Sequence, residues 1–314
     1  MFSGQGESLV IPFQAPRPAW QEPRSPEAPA SEERLRAPHL RVVPPPREIH
    51  PLLAGRDDAA IRRVYPWLAR LTDDYFGAEV EGVDNLSDRA SLVVSTHNGS
   101  WVMPDLLTLL VAFWRRFGME TPAYGLGHRM LFQVPAVGGW AKKIGGIDAS
   151  WKSARVVLSE GYPLLVCPGG DADALKPFSR RHQINFGRQR GFVRLAIEQQ
   201  VPIIPVVSVG AHEVFFVLTD GRKLAQWSGA ARFLRLKSIP LALAFPVGLT
   251  PGGLGAIPLP SRVRVRVLRK IELDEPPEAA QDDAVVERCF ERVRATMQRQ
   301  LDDLASHRRW PVLG

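Results

Sequence analysis

The feature that most constrains the fold is a regular alternation of short apolar runs, rich in β-branched residues, with longer segments of helical spacing. Strands that alternate with helices pair in a parallel sheet, because each helix carries the chain back to the same edge. We therefore predict an α/β fold with a mostly parallel, mixed sheet flanked by helices. The predicted strands are Ser91–Thr96, Ala123–Leu126, Tyr162–Cys167, Ile203–Val209 and Leu241–Pro246, and the predicted helices are Pro104–Phe117, Pro135–Ile144, Ser153–Glu160, Gly191–Gln199 and Val214–Trp227.

Three flanking segments extend this pattern. Ile61–Phe76 has helical spacing and ends next to Gly77. Arg262–Leu268 alternates Arg with Val, as in a half-buried strand near the edge of a sheet. Ala284–Leu304 places its apolar residues on one helical face, so we expect this helix to pack on the sheet. No second boundary is visible in the sequence, and we predict a single domain over residues 51–314.

Residues 1–50 have a different composition. They contain ten prolines, scattered Glu and Arg, and little apolar periodicity. Such a segment buries too little apolar surface to offset the entropy lost on ordering, so we predict a disordered, Pro-rich arm. The start of the chain lacks the pattern of a secretory signal, and no apolar run reaches the ~18 residues of a membrane span. We expect a cytoplasmic protein that is soluble or peripheral on the inner face of a membrane.

The charge balance and the cysteines restrict the partners. A formal net charge of +7 favours an anionic partner, which can be nucleic acid, an anionic lipid surface or a phosphorylated substrate. Cys167 and Cys289 lie far apart and lack the spacing of a metal site, so we expect neither a disulfide framework nor a metal. The Gly-x-Ser-x-Gly elbow of serine hydrolases and the Gly-x-Gly-x-x-Gly loop of dinucleotide enzymes are also absent from the sequence.

The first candidate site residue is His97, which directly follows the predicted strand Ser91–Thr96. In open α/β sheets, functional residues collect in loops at the carboxyl ends of strands. An imidazole there can act as a general base near neutral pH, especially if a carboxylate such as Asp105 in the next helix holds its other nitrogen. A capping or core histidine is the alternative, and the position alone does not decide between the two.

The second candidate is the loop Pro168-Gly169-Gly170-Asp171-Ala172-Asp173, which follows the strand Tyr162–Cys167. Adjacent glycines let the backbone approach a ligand closely, and their N–H groups can hold an oxyanion or a phosphate. A plain tight turn explains the two glycines equally well.

The third candidate is the segment Phe178–Phe192, in which arginines are interspersed with aromatic residues. It fits nucleic acid, through stacking and phosphate contacts, and it fits the phosphates of coenzyme A or of a lipid headgroup equally well. A solvated basic loop is the third interpretation. His212 and Glu213, after the strand Ile203–Val209, lack partners at zinc spacing and are given a structural or acceptor-lining role.

In combination, these loops resemble the lysophospholipid/glycerolipid acyltransferase superfamily. They are most similar to its bacterial phospholipid/glycerol acyltransferase members and to the diacylglycerol acyltransferase and phytyl ester synthase-like branch. The resemblance covers about residues 85–250 and depends on the order and spacing of several pieces. These pieces are Ser95–Ser100 with Pro104-Asp105, Pro168–Leu175, Gly191–Ala196 and Val201–Val206.

The resemblance implies an acyltransferase that moves a fatty acyl group from acyl-CoA or acyl carrier protein to a lipid hydroxyl, without a cofactor, a metal or a covalent acyl-enzyme. It implies that His97 is the general base and that Asp105 orients it. The implied partners are an acyl-thioester donor, a lipid acceptor and a membrane surface. Nucleic acid is not expected, because no nucleic-acid-binding module is recognisable. The residues expected to bind substrate are Asn98, Gly99, Pro168, Gly169, Gly170, Asp171, Asp173, Arg180, Arg181, Arg188 and Arg190.

The chain departs from the superfamily pattern at two points. Seven residues separate His97 from Asp105 where the common motif has four, and the Glu and Arg around the superfamily's Gly-Thr-Arg block are absent near Gly169. We expect a glycerolipid or lysophospholipid acceptor. A neutral acceptor, such as diacylglycerol or a long-chain alcohol, and an inactive relative that binds lipid or acyl thioester are the alternatives. Leu106, Leu109, Leu110 and Trp114 line either an acyl tunnel or the core, and Ala60–Phe76 and Trp101–Met103 are the candidates for membrane contact.

Overall fold

Two sheets are the framework of the computed structural model, which describes residues 49–99, 102–134, 136–219, 221, 240–251 and 257–310. The strands, in chain order, are β1 (Glu79–Glu81), β2 (Ser91–Ser95), β3 (Tyr124–Gly127), β4 (Gly146–Asp148), β5 (Pro163–Val166), β6 (Ile203–Val209), β7 (Phe216–Thr219), β8 (Leu241–Ala244), β9 (Gly248–Pro251) and β10 (Arg264–Val267).

The larger sheet has seven strands in the order β1-β10-β6-β2-β5-β3-β4. The five strands from β6 to β4 run parallel to their neighbours, whereas β10 is antiparallel to β6. This arrangement confirms the predicted fold class, and it confirms the Arg/Val strand as one position in from an edge. Because the five parallel strands share a direction, the loops that follow them meet at one edge of the sheet.

The described residues form eight α-helices, namely α1 (Asp58–Arg70), α2 (Pro104–Phe117), α3 (Arg129–Gln133), α4 (Val137–Lys143), α5 (Trp151–Ser159), α6 (Gly170–Ala174), α7 (Gly191–Gln199) and α8 (Asp283–Ser306). A π-helical turn, Leu71–Tyr75, extends α1 to the predicted end of this helix. Among the described residues, no helix combines the length and the apolar character needed to cross a bilayer.

The helices cover both faces of the seven-stranded sheet. On one face, α1 and α2 share a buried cluster with the sheet, which includes Ile61, Phe113 and Val93. On the other face, α5, α7 and α8 form a second cluster with side chains such as Leu92 and Val94. Successive side chains of β2 thus enter opposite clusters, and every residue of this strand is buried. This two-sided burial explains why the central strands are continuous apolar runs in the sequence.

Two predicted elements are wrong. The predicted helix Val214–Trp227 begins with the strand Phe216–Thr219, and its residues from 222 onward lie outside the described part of the chain. The predicted strand Leu241–Pro246 does not join the parallel sheet. Its first four residues instead form the centre of a separate antiparallel sheet, β7-β8-β9. The reason is local, because a turn at 245–247 returns the apolar chain directly onto itself.

The predicted Pro-rich arm, residues 1–50, lies outside the described residues except for Ile49 and His50. The single domain over residues 51–314 stays a prediction.

Candidate active site

His97 lies where β2 ends, at the edge of the sheet that collects the loops after the parallel strands. Its side chain lines a cavity of about 680 Å³. The ring atom Nδ1 is buried and has no hydrogen-bond partner among the described residues. Burial lowers the pKa of His97 below its ordinary 6.5, against the opposing charges of Asp173 and Asp171. Burial therefore favours the neutral imidazole, which is the form that can accept a proton.

The loop after β5 holds the backbone of His97 in place. Asp173, which is 0% exposed, accepts a hydrogen bond from the His97 backbone N–H at 2.9 Å through Oδ2. Its other oxygen accepts from Lys176 Nζ at 2.8 Å and from the Asn185 N–H at 3.2 Å. A Cβ at Gly169 would lie 2.4 Å from Asp173 Cβ, so only glycine allows this carboxylate to fold under the loop. Asp173 was expected to bind substrate; its complete burial corrects this, and it positions His97 instead.

Asp105 does not make the predicted contact with the His97 ring. Its Oδ2 accepts hydrogen bonds from Ser208 Oγ at 2.8 Å and from Asn98 Nδ2 at 3.2 Å, and its Oδ1 accepts from the Leu106 N–H at 2.9 Å. The cause is the direction of the side chains after β2, because Asn98 points to the side of Asp105 whereas His97 points into the cavity. Burial raises the pKa of Asp105 to about 7, although all three hydrogen bonds oppose this.

The remaining predicted residues of these two loops divide into two groups. Pro168, Gly170 and Asp171 line the cavity together with His97. Asn98, Gly99 and Gly169 do not belong to the described lining of the cavity, and Gly99 and Gly169 are closely packed against neighbouring atoms. The Gly170 N–H donates to the Cys167 carbonyl oxygen at 3.1 Å, so it is not available as the predicted oxyanion donor.

The predicted phosphate-binding arginines do not gather at this cavity. None of them belongs to its described lining; they are Arg180, Arg181, Arg188 and Arg190. Arg181 pairs with Glu213 at 3.4 Å, and Arg190 pairs with Glu287 at 2.6 Å. The other two are exposed. Two of the four thus have ion pairs within the protein, and the predicted phosphate-binding role of the four stays a prediction.

His212 and Glu213 have structural positions. The His212 ring is buried, with Nε2 at 2.6 Å from the Lys176 carbonyl oxygen, and burial lowers its pKa to about 3. Glu213 forms a buried ion pair with Arg308 at 2.7 Å. These contacts stabilise the chain around the Lys176–Asp173 pair.

The cavity also has polar lining residues that were not predicted from the sequence. His128 follows β3, Ser150 follows β4, and both line the cavity with His97. The signal was present, because the rule that selected His97, a polar residue after a parallel strand, also selects His128. Gln189 lines the cavity from the loop before α7, and no pattern in the sequence indicates this.

A second, apolar cavity of about 320 Å³ shares part of its wall with the first. Its described lining carries no charged side chain. Leu106, Leu109 and Leu110 contribute to it as the predicted acyl tunnel requires, whereas Trp114 is buried in the core between α1 and α2. The residues that line both cavities are Met103, Leu106, Leu126, Gly127, Leu131 and Leu165.

Part of the chain is similar to a known protein family. A family profile described as diacylglycerol acyltransferase matches residues 124–273. An uncharacterized protein of Mycobacterium tuberculosis is 33% identical over 250 residues, which cover 78% of this chain and 66% of that protein. Over residues 124–273, just under half of its length, the chain is similar to the diacylglycerol acyltransferase family. The matched residues include the loop Pro168–Asp173 and begin after His97, so the family profile does not cover the histidine.

Other relatives have informative names. A chicken protein named "DGAT1/2-independent enzyme synthesizing storage lipids" is 27% identical over 174 residues, or 55% of this chain and 50% of that protein. The chain therefore matches about two thirds of the length of the mycobacterial protein and half of the chicken one. Among solved structures, the 1-acyl-sn-glycerophosphate (LPA) acyltransferase PlsC from Thermotoga maritima has a TM-score of 0.49 and 17% identity, covering 81% of this chain and 85% of that chain.

Proposed function

We propose that this chain transfers a fatty acyl group from an acyl thioester, acyl-CoA or acyl carrier protein, to the hydroxyl of a lipid, with His97 as the general base. The observation that carries the proposal is the place of His97, a neutral imidazole on the wall of a large cavity that continues into an apolar one. The family supports acyl transfer as the reaction.

The reaction needs a base for the acceptor hydroxyl. His97 takes the hydroxyl proton as the oxygen attacks the thioester carbonyl carbon, and a tetrahedral intermediate forms. When the intermediate collapses, the C–S bond breaks and the leaving thiolate takes the proton back from the imidazolium. An ester and a free thiol are the products. A neutral imidazole is the form that this sequence requires at its start.

Cys167 also lines the cavity, but it does not act as a nucleophile. Burial and the nearby carboxylates of Asp105 and Asp173 raise the pKa of this thiol well above its ordinary value. The thiolate, which is the reactive form, is thus disfavoured. This supports direct transfer from donor to acceptor without an acyl-enzyme.

The apolar cavity fits the acyl chain of the donor. Its described lining contains no charged side chain. Some of the lining residues, such as Leu106 and Leu131, also line the His97 cavity, so the two cavities adjoin. A chain bound there leaves its thioester in the larger cavity, within reach of the imidazole. Burial of each CH₂ contributes about 0.8 kcal/mol, so a long chain is bound strongly by this surface alone.

For the acceptor, we propose a neutral lipid alcohol such as diacylglycerol or a long-chain alcohol. A phosphorylated acceptor needs cationic side chains at the site, and the described lining of the His97 cavity contains no Arg or Lys. The family and the name of the chicken relative point in the same direction. This favours the neutral acceptor over the lysophospholipid that the sequence alone suggested.

The experiment uses the full-length protein with isotope-labelled acyl-CoA and a panel of acceptors, namely diacylglycerol, a long-chain alcohol and lysophosphatidate. Mass spectrometry of the lipids identifies the product, which we expect to be triacylglycerol or a wax ester. His97→Ala is expected to reduce transfer by roughly 100-fold or more without unfolding the protein. His128→Ala is the matched control, because it removes another imidazole from the same cavity.

Three outcomes decide the proposal. Wild-type transfer rates in a folded His97→Ala protein would reject the base. Lysophosphatidate as the preferred acceptor would reject the neutral lipid. Binding of acyl-CoA without turnover on any acceptor would favour an inactive relative.

A further inference from the structure

The surface formed by α3, α4 and the start of α5 exposes large apolar side chains. We call it the α3–α4 surface. Contiguous exposed apolar patches on soluble domains mark places that contact another molecule. The exposed apolar residues are Met130 (66%), Val134 (49%), Val137 (45%), Trp140 (39%) and Trp151 (46%).

Basic residues surround these apolar side chains. Four of them are exposed, and none has an ion-pair partner among the described residues; they are Arg129, Lys142, Lys143 and Lys152. Between His128 and Lys152 the sequence contains a single acidic residue, Asp148. The α3–α4 surface is thus apolar at its centre and cationic around it.

The packing of the two helices holds this surface in place. A Cβ at Gly138 would lie 2.7 Å from the Phe132 backbone, so α4 and α3 touch backbone to backbone. Gly138 and Ala141 form the buried side of α4. Val137 and Trp140 are on its exposed side, and the tight contact keeps them there.

The α3–α4 surface is also the rim of both cavities. Val137 and Trp140 line the apolar cavity, Trp151 lines the cavity of His97, and Leu131 lines both. A lipid that leaves a bilayer at this surface enters the cavities without crossing water.

We propose that the α3–α4 surface docks the protein on an anionic phospholipid bilayer. Insertion of apolar side chains and attraction between basic side chains and anionic lipid are each weak, but together they hold a protein on such a membrane. Tryptophan also favours the interface between lipid and water. The basic residues around the α3–α4 surface favour an anionic membrane as its partner. The outer face of β7-β8-β9 also exposes apolar residues, such as Leu243 and Leu249, but these strands contain no charged residue. The delivery of substrate rests on the proposed function, whereas docking does not.

The experiment is flotation of the full-length protein with phosphatidylglycerol/phosphatidylcholine vesicles at low salt, without acyl donor. Two variants of the α3–α4 surface are used, Met130→Glu and Lys142→Gln/Lys143→Gln, and neither changes a residue in the described lining of the two cavities. Each is expected to lower the partition coefficient by roughly tenfold. Leu243→Glu on β8 is the matched control at an exposed apolar position, and it is expected to bind like the wild type.

The wild type is expected to float with anionic vesicles and to lose binding on phosphatidylcholine alone. The proposal would be overturned if the two α3–α4 variants bind like the wild type, if Leu243→Glu loses binding, or if the wild type stays unbound. Sedimentation without vesicles tests whether a second copy of the chain covers this surface instead. A dimer that dissociates in the two α3–α4 variants would assign the surface to that second copy and overturn the proposal. The flotation experiment measures no turnover. A negative result would therefore overturn docking without bearing on the role of His97, which the acyl-transfer assay tests.

Discussion

Two buried carboxylates lie near the end of β2, and the protein holds them in different ways. Asp105 lies among uncharged donors, Asn98, Ser208 and the Leu106 N–H, and burial raises its pKa to about 7. Asp173 forms an ion pair with Lys176, and both side chains are almost completely buried. One region is a hydrogen-bond network, and the other is a buried pair of charges.

The difference assigns separate roles to the two regions. The Asp105 network joins the start of α2 to β6 through Ser208, and so connects elements behind the cavity wall. Asp173 bonds the backbone of His97, and its charge raises the pKa of that histidine. The carboxylate that acts on the proposed base is thus in α6, which follows β5, rather than in α2.

The largest effect is expected from Asp173→Asn. This change leaves the Lys176 ammonium buried without its counter-charge, so the free energy of unfolding should fall by about 3–5 kcal/mol. Urea denaturation measures it. Asp171→Asn, an exposed position in the same loop, is the control and should change it by less than about 0.5 kcal/mol. Partial recovery in Asp173→Asn/Lys176→Met is expected, and equal losses in the two single variants would contradict the buried pair.

A smaller effect that depends on pH is expected from Asp105→Asn. The folded protein holds a proton on Asp105 up to a pKa of about 7, against 3.8 for an ordinary aspartate, so the unfolded chain releases this proton first. The wild type therefore loses stability as pH rises from about 4 to about 7. The variant lacks this titration.

Denaturation at pH 5 and pH 8 tests this difference. Relative to Asp105→Asn, the wild type should lose roughly 2–3 kcal/mol of unfolding free energy between the two values. A difference between the proteins that stays constant with pH would show that Asp105 titrates normally.

The central strands could be predicted from the sequence because both of their faces are buried. β2, β5 and β6 are continuous apolar runs of ordinary strand length. β1 and β4 have three residues each, which is too short for any periodicity. The run at β8 is equally apolar, and its antiparallel pairing depends on β7 and β9, which the run itself does not indicate.

The residues of the candidate site also differ in whether the sequence could predict their positions. His97 could be predicted from its place after a buried strand, since that place depends on local sequence alone. The positions of the two carboxylates could not, because they depend on contacts between segments that are distant in the chain. Asp105 is held by Ser208 from β6, and Asp173 by a bond to the His97 backbone.

The smallest effect is a shift of the pH–rate profile, and it compares the two regions most directly. A general base must be unprotonated, so kcat/KM falls as pH decreases through the pKa of His97, which lies below 6.5. Asp171 adds a charge that raises this pKa. Asp171→Asn should therefore move the acid limb to lower pH by roughly a few tenths of a unit.

Asp105→Asn should leave the position of the acid limb unchanged, because the charges that act on His97 come from Asp173, Asp171 and Lys176. Its rate can fall, since the network behind the cavity wall is altered, but the pH of half-maximal kcat/KM should not move. The opposite pattern, a limb that moves in Asp105→Asn and stays in Asp171→Asn, would place the carboxylate that acts on the base in α2. The measured profiles thus decide which of the two regions tunes the histidine.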